Sequence, residues 1–298
     1  MPSRAGGYAQ RRRVSGIEAP VPTTQPLGFP AFPDRSHRAA GSAQFRVLSR
    51  VVALIAASLV AGAFCAAALA LGRVAPPAGL MMRRAVARRW ARSVARILGM
   101  RVRIEGAAPA APCLLVANHL GYVDVVAFWC ATGGSFVAKS EVASWPLVGA
   151  LGRIAQTLFI DRGRKRDVVR VIAAMEQTLG RGESVIVFAE GTSTGGDRVL
   201  RFRSSLFEAA RRSGVPVRTA SISYATPRGA PSADRAVCWW GDMTFADHAF
   251  ALMKLRGFDA TLRFAAEPIE GGDRKEMARR AHAAVRASWS QSKPSERA

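Results

Sequence analysis

Hydrophobic and polar positions along this chain predict strands and helices in alternation. From Met100 onward, short runs rich in Val, Ile, Leu and Phe alternate with longer segments of helical periodicity. The short runs predict strands over 102–104, 113–117, 135–138, 157–160, 184–188, 218–223, 237–240 and 261–265. The periodic segments predict helices over 123–131, 167–179, 204–212 and 274–287. This alternation is typical of an α/β fold, here a mixed, mostly parallel sheet flanked by helices on both faces.

The pattern before Met100 is different. Residues 1–45 are rich in Pro, Gly, Ser and Arg and show no periodicity, so they predict a disordered basic tail. From Val51 to Leu71 the chain has 21 residues without a charge, which is long enough to cross a bilayer core. Because this run lies far from the N-terminus and lacks a signal-peptide cleavage site, we expect a retained anchor. A shallow or re-entrant helix and a buried soluble helix are the alternatives.

A basic segment connects this apolar run to the first strand. From Met81 to Leu98, apolar residues recur at helical spacing and arginines fill most other positions. This predicts an amphipathic helix that either lies on an anionic membrane or packs on the domain with a solvated basic face. Because both flanks of the apolar run are basic, we favour a hairpin-like insertion with both ends in the cytoplasm. The predicted organisation is a tail (1–45), membrane-associated helices (46–99), an α/β domain (100–290) and a second disordered tail (291–298).

Composition narrows the class of protein. With 49% hydrophobic residues, the chain can build one sizeable core, and the formal net charge of +22 favours an anionic partner such as nucleic acid, a membrane or an acidic carrier. Only five of the 43 basic residues are lysines, and a GC-rich genome would also enrich arginine, so charge alone does not choose the partner. The four scattered cysteines form no C-x-x-C pair, which favours reduced thiols in a cytoplasmic compartment.

Polar residues follow two of the predicted strands. His119 and Asp124 come after one strand, and Glu190, Gly191 and Thr192 come after another. Because the strand ends of one sheet meet at one edge, we expect a single cleft. There His119 can act as a general base on a substrate hydroxyl, while Asp124, brought alongside by a helical turn, orients the ring. The alternative makes His119 a turn residue and Asp124 a helix-start charge.

Other chemistries fit the sequence less well. Residues 191–195 match the letters G-x-S-x-G, but neither Thr192 nor Ser193 sits on the strand-to-helix turn of a nucleophile elbow, so we expect no acyl-enzyme. The mixed His, Asp and Glu set lacks a nearby second His, so we expect no metal site. Arg162 follows a third strand, where its guanidinium can bind a phosphate or carboxylate bidentately. Its alternative is a surface arginine in the basic run 162–166.

The three polar segments that follow strands, called boxes below, contain His119 and Asp124, Arg162, and Glu190 to Thr192. In this order they resemble the glycerolipid acyltransferase superfamily, whose type member converts lysophosphatidic acid to phosphatidic acid. The resemblance covers about residues 90–270 and depends on the blocks Asn118-His119 to Asp124 (N-H-x4-D), Phe159-Ile160-Asp161-Arg162, Phe188-Ala189-Glu190-Gly191-Thr192 (F-P-E-G-T) and the apolar-proline block Val215-Pro216-Val217.

The resemblance implies a role for each box. His119 and Asp124 would be the catalytic dyad, and the acyl donor would be a thioester of coenzyme A or acyl carrier protein. No metal or other cofactor is implied. The residues implied to bind the polar head of the acceptor are Arg162, Glu190, Gly191 and Thr192.

The chain departs from the family pattern at two positions. Ala189 replaces the usual proline, and Ser193 replaces the arginine that commonly follows E-G-T in enzymes that handle a phosphate head. Downstream, the segments 201–207 and 239–243 with His248 are similar to a bacterial subgroup that includes acyltransferases acting on lyso-ornithine lipid. Ornithine lipid lacks phosphate, so a weaker anion site would fit it.

The sequence therefore predicts a membrane-associated O-acyltransferase at the cytoplasmic (inner) membrane, with its catalytic domain on the cytoplasmic face. It would transfer a fatty acyl group from acyl-CoA or acyl carrier protein to the hydroxyl of a lysolipid. We rank 1-acylglycerol-3-phosphate first, as the superfamily's commonest acceptor, and lyso-ornithine lipid second. A non-enzymatic basic membrane- or nucleic-acid-binding protein is the alternative from another class. With only three Tyr, the chain lacks the aromatics interleaved with basic residues that nucleic-acid readers use, so we expect no nucleic acid partner.

Overall fold

The computed structural model describes residues 40–145, 149, 152, 156–161 and 163–290, and these residues form the expected α/β fold. Its helices are α1 (Ala40–Val74), α2 (Pro76–Leu98), α3 (Val123–Ala131), α4 (Lys165–Gly180), α5 (Phe207–Ser213), α6 (Ala233–Ala236), α7 (Phe245–Lys254) and α8 (Arg274–Ser290), with a 3-10 turn at Ser140–Ser144. Its strands are β1 (Met100–Glu105), β2 (Leu114–Ala117), β3 (Ser135–Lys139), β4 (Leu158–Ile160), β5 (Val185–Phe188), β6 (Val217–Ala225) and β7 (Phe258–Phe264).

The strands form one seven-stranded sheet in the order β1-β7-β6-β2-β5-β3-β4. All neighbours are parallel except β6 and β7, which confirms the predicted mixed, mostly parallel sheet. Every residue of β2 and β5 is buried, as expected for central parallel strands covered on both faces. Ala117, the last residue of β2, pairs with Phe188 of β5 and Ala220 of β6. The chain therefore leaves β2 and β5 side by side at one edge.

Helices cover both faces of the sheet, as the alternating pattern predicts. On one face, Leu115 and Ala117 of β2 join a core built with α2, α3 and α7. On the other face, Leu114 and Val116 join a core built with α4, α5 and α8. Adjacent strand residues point to opposite faces, so β2 contributes to both cores.

The first two helices form a tightly packed antiparallel pair. α2 begins at Pro76, because the first turn of a helix needs no backbone N–H donor. A Cβ at Gly79 would overlap Cα of Gly72 in α1, so glycine allows this close approach. The predicted apolar run is thus the middle of a longer helix, which begins at Ala40 rather than after residue 45.

α2 also packs on the α/β domain, as the second interpretation of this segment expects. Arg83 forms a buried ion pair with Glu183, two residues before β5, and Arg84 donates to the carbonyl of Gly182 at 2.7 Å. Arg83 is therefore removed from the solvated basic face. A buried pair of this kind fixes position more than it adds stability, since both charges lose their hydration.

The predicted strand 237–240 is wrong. The N–H groups of Val237 and Cys238 both donate to the carbonyl of Ala233 at 2.9 Å, so this segment ends helix α6 and continues as a loop. Its residues are apolar because Val237 and Cys238 are buried in the core, not because they pair with a strand. Of the predicted tails, 1–45 and 291–298, residues 1–39 and 291–298 lie outside the described residues, and residues 40–45 belong to α1.

Candidate active site

His119 and Asp124 lie in contact directly after β2. His119 Nδ1 is 2.7 Å from Asp124 Oδ2, and because a carboxylate only accepts hydrogen bonds, Nδ1 carries the proton. The same Oδ2 accepts the N–H groups of Leu120 (2.7 Å) and Gly121 (3.1 Å). The contact is therefore made by a loop that folds around the carboxylate in the first turn of α3. A helical turn between the two residues, as expected from the sequence, is not what joins them.

Packing fixes the plane of the His119 ring. The imidazole stacks on Phe188, the last residue of β5, with ring centroids 4.2 Å apart and an interplanar angle of 8°. Beside it, Asn118 donates to the carbonyl of Ile222 and accepts from its N–H, at 3.0 and 2.8 Å. The loop is thus held to the strands on both sides of β2. Asp124 is completely buried, whereas 24% of the His119 side chain is exposed, so the ring is accessible to a substrate.

Glu190 joins the second polar box to the first. Its Oε1 accepts the backbone N–H of His119 at 2.8 Å, and its Oε2 accepts that of Leu200 at 2.6 Å. Burial raises the pKa of Glu190 to about 7, against the opposing effect of these two N–H donors. The two polar boxes therefore meet at one edge of the sheet, as expected from the sequence. Both oxygens of Glu190 bind the protein backbone, and the prediction that it binds substrate stays untested.

The residues after Glu190 form a loop that borders His119. The N–H of Thr194 donates to the carbonyl of His119 at 3.0 Å, and the side chain of Thr192 is exposed. Gly191 has φ of +83°, a conformation that favours glycine. Arg162, the remaining predicted acceptor-binding residue, lies outside the described residues.

Ser193, which stands where the family usually has arginine, has a structural contact. Its hydroxyl donates to the carbonyl of Trp239, and the N–H of Trp239 donates to the carbonyl of Leu120 at 2.8 Å. Ser193 thus helps to hold the 238–240 loop against the His119 loop. The aromatic rings of this region pack together beside the site, namely those of Tyr122, Trp145, Trp239 and Phe245.

Two contacts at the site were missed from the sequence. The hydroxyl of Tyr224 on β6 donates to Asp124 Oδ1 at 2.7 Å, although 100 residues separate the two. The side chain of Arg203 lies across the backbone of Gly191, where an added Cβ would meet its Nε at 2.7 Å. The resemblance included the segment 201–207, but no spacing or periodicity could place Arg203 or Tyr224 at this edge.

Side chains that serve other chemistries are poorly placed. Within the described ranges, no group of three or more His, Cys, Asp and Glu side chains is arranged to hold a metal ion. The four cysteines are free and buried. Burial raises the pKa of Cys130 to about 12 and also raises that of Cys113, so neither is an activated thiolate.

The mostly parallel sheet places a histidine–carboxylate pair at the carboxyl ends of its central strands. Such a pair can transfer a proton during a group-transfer reaction. The sequence model of the family described as Acyltransferase matches residues 99–223. A lyso-ornithine lipid O-acyltransferase of Pseudomonas aeruginosa is 36% identical over 208 residues, which are 69% of this chain and 78% of the relative. A protein of the same name from Brucella abortus is 34% identical over 66% of this chain and 78% of its own length. The chain belongs to this acyltransferase family and is an acyltransferase, which overturns the non-enzymatic alternative.

Two further comparisons support the fold and the breadth of the family. A 1-acyl-sn-glycerol-3-phosphate acyltransferase of Neisseria meningitidis is 34% identical over 45% of this chain and 53% of its own length. The crystal structure of the 1-acyl-sn-glycerophosphate acyltransferase PlsC from Thermotoga maritima superposes with a TM-score of 0.60, at 17% identity, over 84% of this chain and all of that one. At this identity the structural likeness concerns the fold alone.

Proposed function

We propose that the protein transfers a fatty acyl group from a thioester to the hydroxyl of a lysolipid, with His119 as the general base. The observation that carries this proposal is the 2.7 Å contact of His119 Nδ1 with Asp124, which leaves Nε2 unprotonated. Nε2 takes the proton of the acceptor hydroxyl as that oxygen attacks the thioester carbonyl. The C–S bond then breaks, and the imidazolium returns its proton to the leaving thiolate. No step needs a metal or another cofactor.

We propose lyso-ornithine lipid as the first acceptor to test. Several curated relatives with that name match over most of their length, whereas the Neisseria relative named for 1-acylglycerol-3-phosphate matches over about half. The contact of Ser193 with Trp239 supports the same choice, because this position supplies no cation for a phosphate. The phosphate acceptor, which the sequence analysis ranked first, is not contradicted and becomes the second candidate.

The test is acyl transfer by the purified protein in detergent. Two labelled donors, acyl-CoA and the acyl thioester of acyl carrier protein, are each offered with lyso-ornithine lipid and with lysophosphatidic acid. Transfer to lyso-ornithine lipid supports the proposed acceptor, and transfer to lysophosphatidic acid alone replaces it with the phosphate acceptor. Absence of transfer in every combination contradicts the proposed function. The net charge of +22 suits either anionic donor, so the assay must decide between them.

Arg203 is the described cation best placed to bind the anionic group of the acceptor. Its backbone N–H donates to the carbonyl of Ala189 at 2.9 Å, which fixes it beside Gly191 and Glu190. Its side chain is exposed, and within the described ranges no ion pair engages its guanidinium. Both candidate acceptors carry such an anion, a carboxylate in ornithine lipid and a phosphate in lysophosphatidic acid. We propose that Arg203 pairs with this group.

Replacing Arg203 with alanine is expected to raise KM for the acceptor about tenfold with little change in kcat, because ground-state binding is lost while the base remains. Arg274→Ala is the matched control. Arg274 is exposed and follows Ile269, which pairs with Val217 at the start of β6, so it lies at the opposite edge of the sheet. Steady-state kinetics at varied acceptor concentration measure both variants. Equal KM values for the two variants would remove Arg203 from the acceptor site.

We also propose that α1 and α2 attach the enzyme to one leaflet of the cytoplasmic (inner) membrane, with the catalytic domain on the cytoplasmic face. The segment Ala43–Val74 is apolar and long enough to cross a membrane, and only 22% of its most apolar window is buried. Yet α1 runs along the rest of the protein. Arg46 donates to the carbonyl of Lys254 in α7, and Ser58 accepts from Trp90 of α2. A helix held along its length in this way fits a shallow insertion better than a full span.

The exposed face of α1 provides a test of this attachment. Leu59 is 62% exposed, and replacing it with aspartate is expected to weaken binding to vesicles that contain anionic lipid by about tenfold or more. Val169→Asp is the control, since Val169 is 66% exposed but lies on α4 of the catalytic domain. Vesicle flotation of the detergent-free protein measures both. Equal flotation of the two variants would contradict insertion of this face.

A further inference from the structure

Asp124 has a second side-chain partner besides His119. The hydroxyl of Tyr224 donates to Oδ1 at 2.7 Å, while His119 and two backbone N–H groups use Oδ2. The carboxylate is completely buried, so no water can substitute for a missing donor at Oδ1 without a rearrangement. Both oxygens are therefore fixed, one towards the imidazole and one towards β6.

Tyr224 is itself held in place. It lies near the end of β6, where Tyr224 pairs with Ala260 of β7, and its ring packs against Phe258 at a centroid distance of 6.0 Å. Burial and the nearby charge of Asp124 hold the pKa of Tyr224 well above its usual range. The phenol is therefore neutral throughout any practical assay range and remains a donor.

From this geometry we infer that Tyr224 is a positioning residue, which orients the Asp124 carboxylate so that it holds the His119 imidazole in its reactive tautomer. This inference depends on the proposed role of His119 as the base. Tyr224 does not touch the reacting atoms. Its effect passes through Asp124, in a chain from the Tyr224 hydroxyl to Asp124 and from Asp124 to the imidazole. An aligned carboxylate stabilises the imidazolium, which forms in the transition state and not in the substrate complex. Loss of this alignment should therefore lower kcat more than it changes KM.

Tyr224→Phe tests the inference, because it removes one oxygen and keeps the ring that packs on Phe258. We expect kcat for acyl transfer to fall roughly tenfold with KM for both substrates retained. We also expect the acidic limb of the pH–rate profile to move to higher pH by about half a unit to one unit. Without its donor, the buried carboxylate holds a proton more tightly, whether that proton is its own or that of the imidazolium.

Other titrating groups near Asp124 must be separated from this effect. They are Glu190, whose pKa is about 7, and the Cys238 thiol and Tyr122 phenol, whose pKa values are raised by burial. All of them are present in both the parent enzyme and Tyr224→Phe, so the difference between the pH–rate profiles of these two proteins reports the loss of the Tyr224 hydroxyl. Tyr122→Phe is the matched control, because it removes a hydroxyl that bonds His248 at 2.9 Å and not Asp124. Its acidic limb should stay where it is in the parent enzyme.

The outcomes separate three cases. A lower kcat with a displaced acidic limb, in Tyr224→Phe but not in Tyr122→Phe, supports the inference. An unchanged kcat, or a lower kcat with an undisplaced limb and a lowered melting temperature, overturns it, since the hydroxyl then contributes only to folding. Retained transfer by a variant without His119 would instead refute the proposed function, and Tyr224 would lose its assigned role for that separate reason.

Discussion

Acyl transfer is expected to fall by roughly two to four orders of magnitude when His119 is replaced with alanine. The base proposed to take the proton of the acceptor hydroxyl is then gone, and general-base catalysis by a positioned side chain contributes on the order of 10² to 10⁴ in rate. Thioester reactivity and binding at the site remain, so a small residual rate is expected rather than none. KM for the acceptor should change little. Initial rates with labelled thioester and purified enzyme measure the loss.

A matched control separates loss of the base from loss of the fold. His282→Ala removes a histidine of α8 whose ring packs on Phe202. Its Nε2 makes a long contact, at 3.4 Å, with the carbonyl of Val199. It should keep most of the activity. In His119→Ala, the Asp124 carboxylate keeps the N–H groups of Leu120 and Gly121 as partners, so the variant should stay folded. Activity retained in folded His119→Ala would refute the proposed mechanism.

Much of the fold was predictable because its signals are local. The helix over 123–131 has the predicted bounds, and the apolar runs of β2 and β5 were found because parallel strands that are buried on both faces must be continuously apolar. The signal failed where apolar composition served packing alone. In the segment 237–240, Val237 and Cys238 are apolar because they lie in the core. The helix Phe245–Lys254 was missed because only part of one face is buried.

The site was predictable to the extent that it lies in the residues directly after the strands. The sequence placed both polar boxes at the same edge of one sheet. His119 and Glu190 meet there because β2 and β5 are neighbours in the structure. Tyr224 and Arg203 could not be found in this way. Their positions depend on how far β6 extends past β2 and on how the chain after Gly191 folds back, and both are set by tertiary packing.

Replacing Asp124 with asparagine is expected to lower kcat by about two to three orders of magnitude while the protein remains folded. The structure offers an isosteric arrangement for the amide. Its oxygen can take the place of Oδ2 and accept from Leu120, Gly121 and the Nδ1 of His119, while its NH₂ donates to the hydroxyl oxygen of Tyr224. The contacts with Leu120, Gly121 and His119 are then retained, that with Tyr224 is kept with its direction reversed, and the tautomer is kept. What is lost is the negative charge that stabilises the imidazolium formed in the transition state.

This loss of charge predicts a pH dependence opposite in sign to that of Tyr224→Phe. Without the carboxylate, the imidazolium is less stable and gives up its proton at lower pH, so the acidic limb of the pH–rate profile should move down. In Tyr224→Phe the Asp124 carboxylate keeps its charge but loses a hydrogen-bond donor, so the acidic limb should move to higher pH. Rate profiles of the two variants, measured with one substrate pair and with melting temperatures as a control for folding, test both signs at once. An upward shift in Asp124→Asn would mean that the Asp124 charge does not stabilise the imidazolium, and a downward shift in Tyr224→Phe would contradict the role assigned to Tyr224.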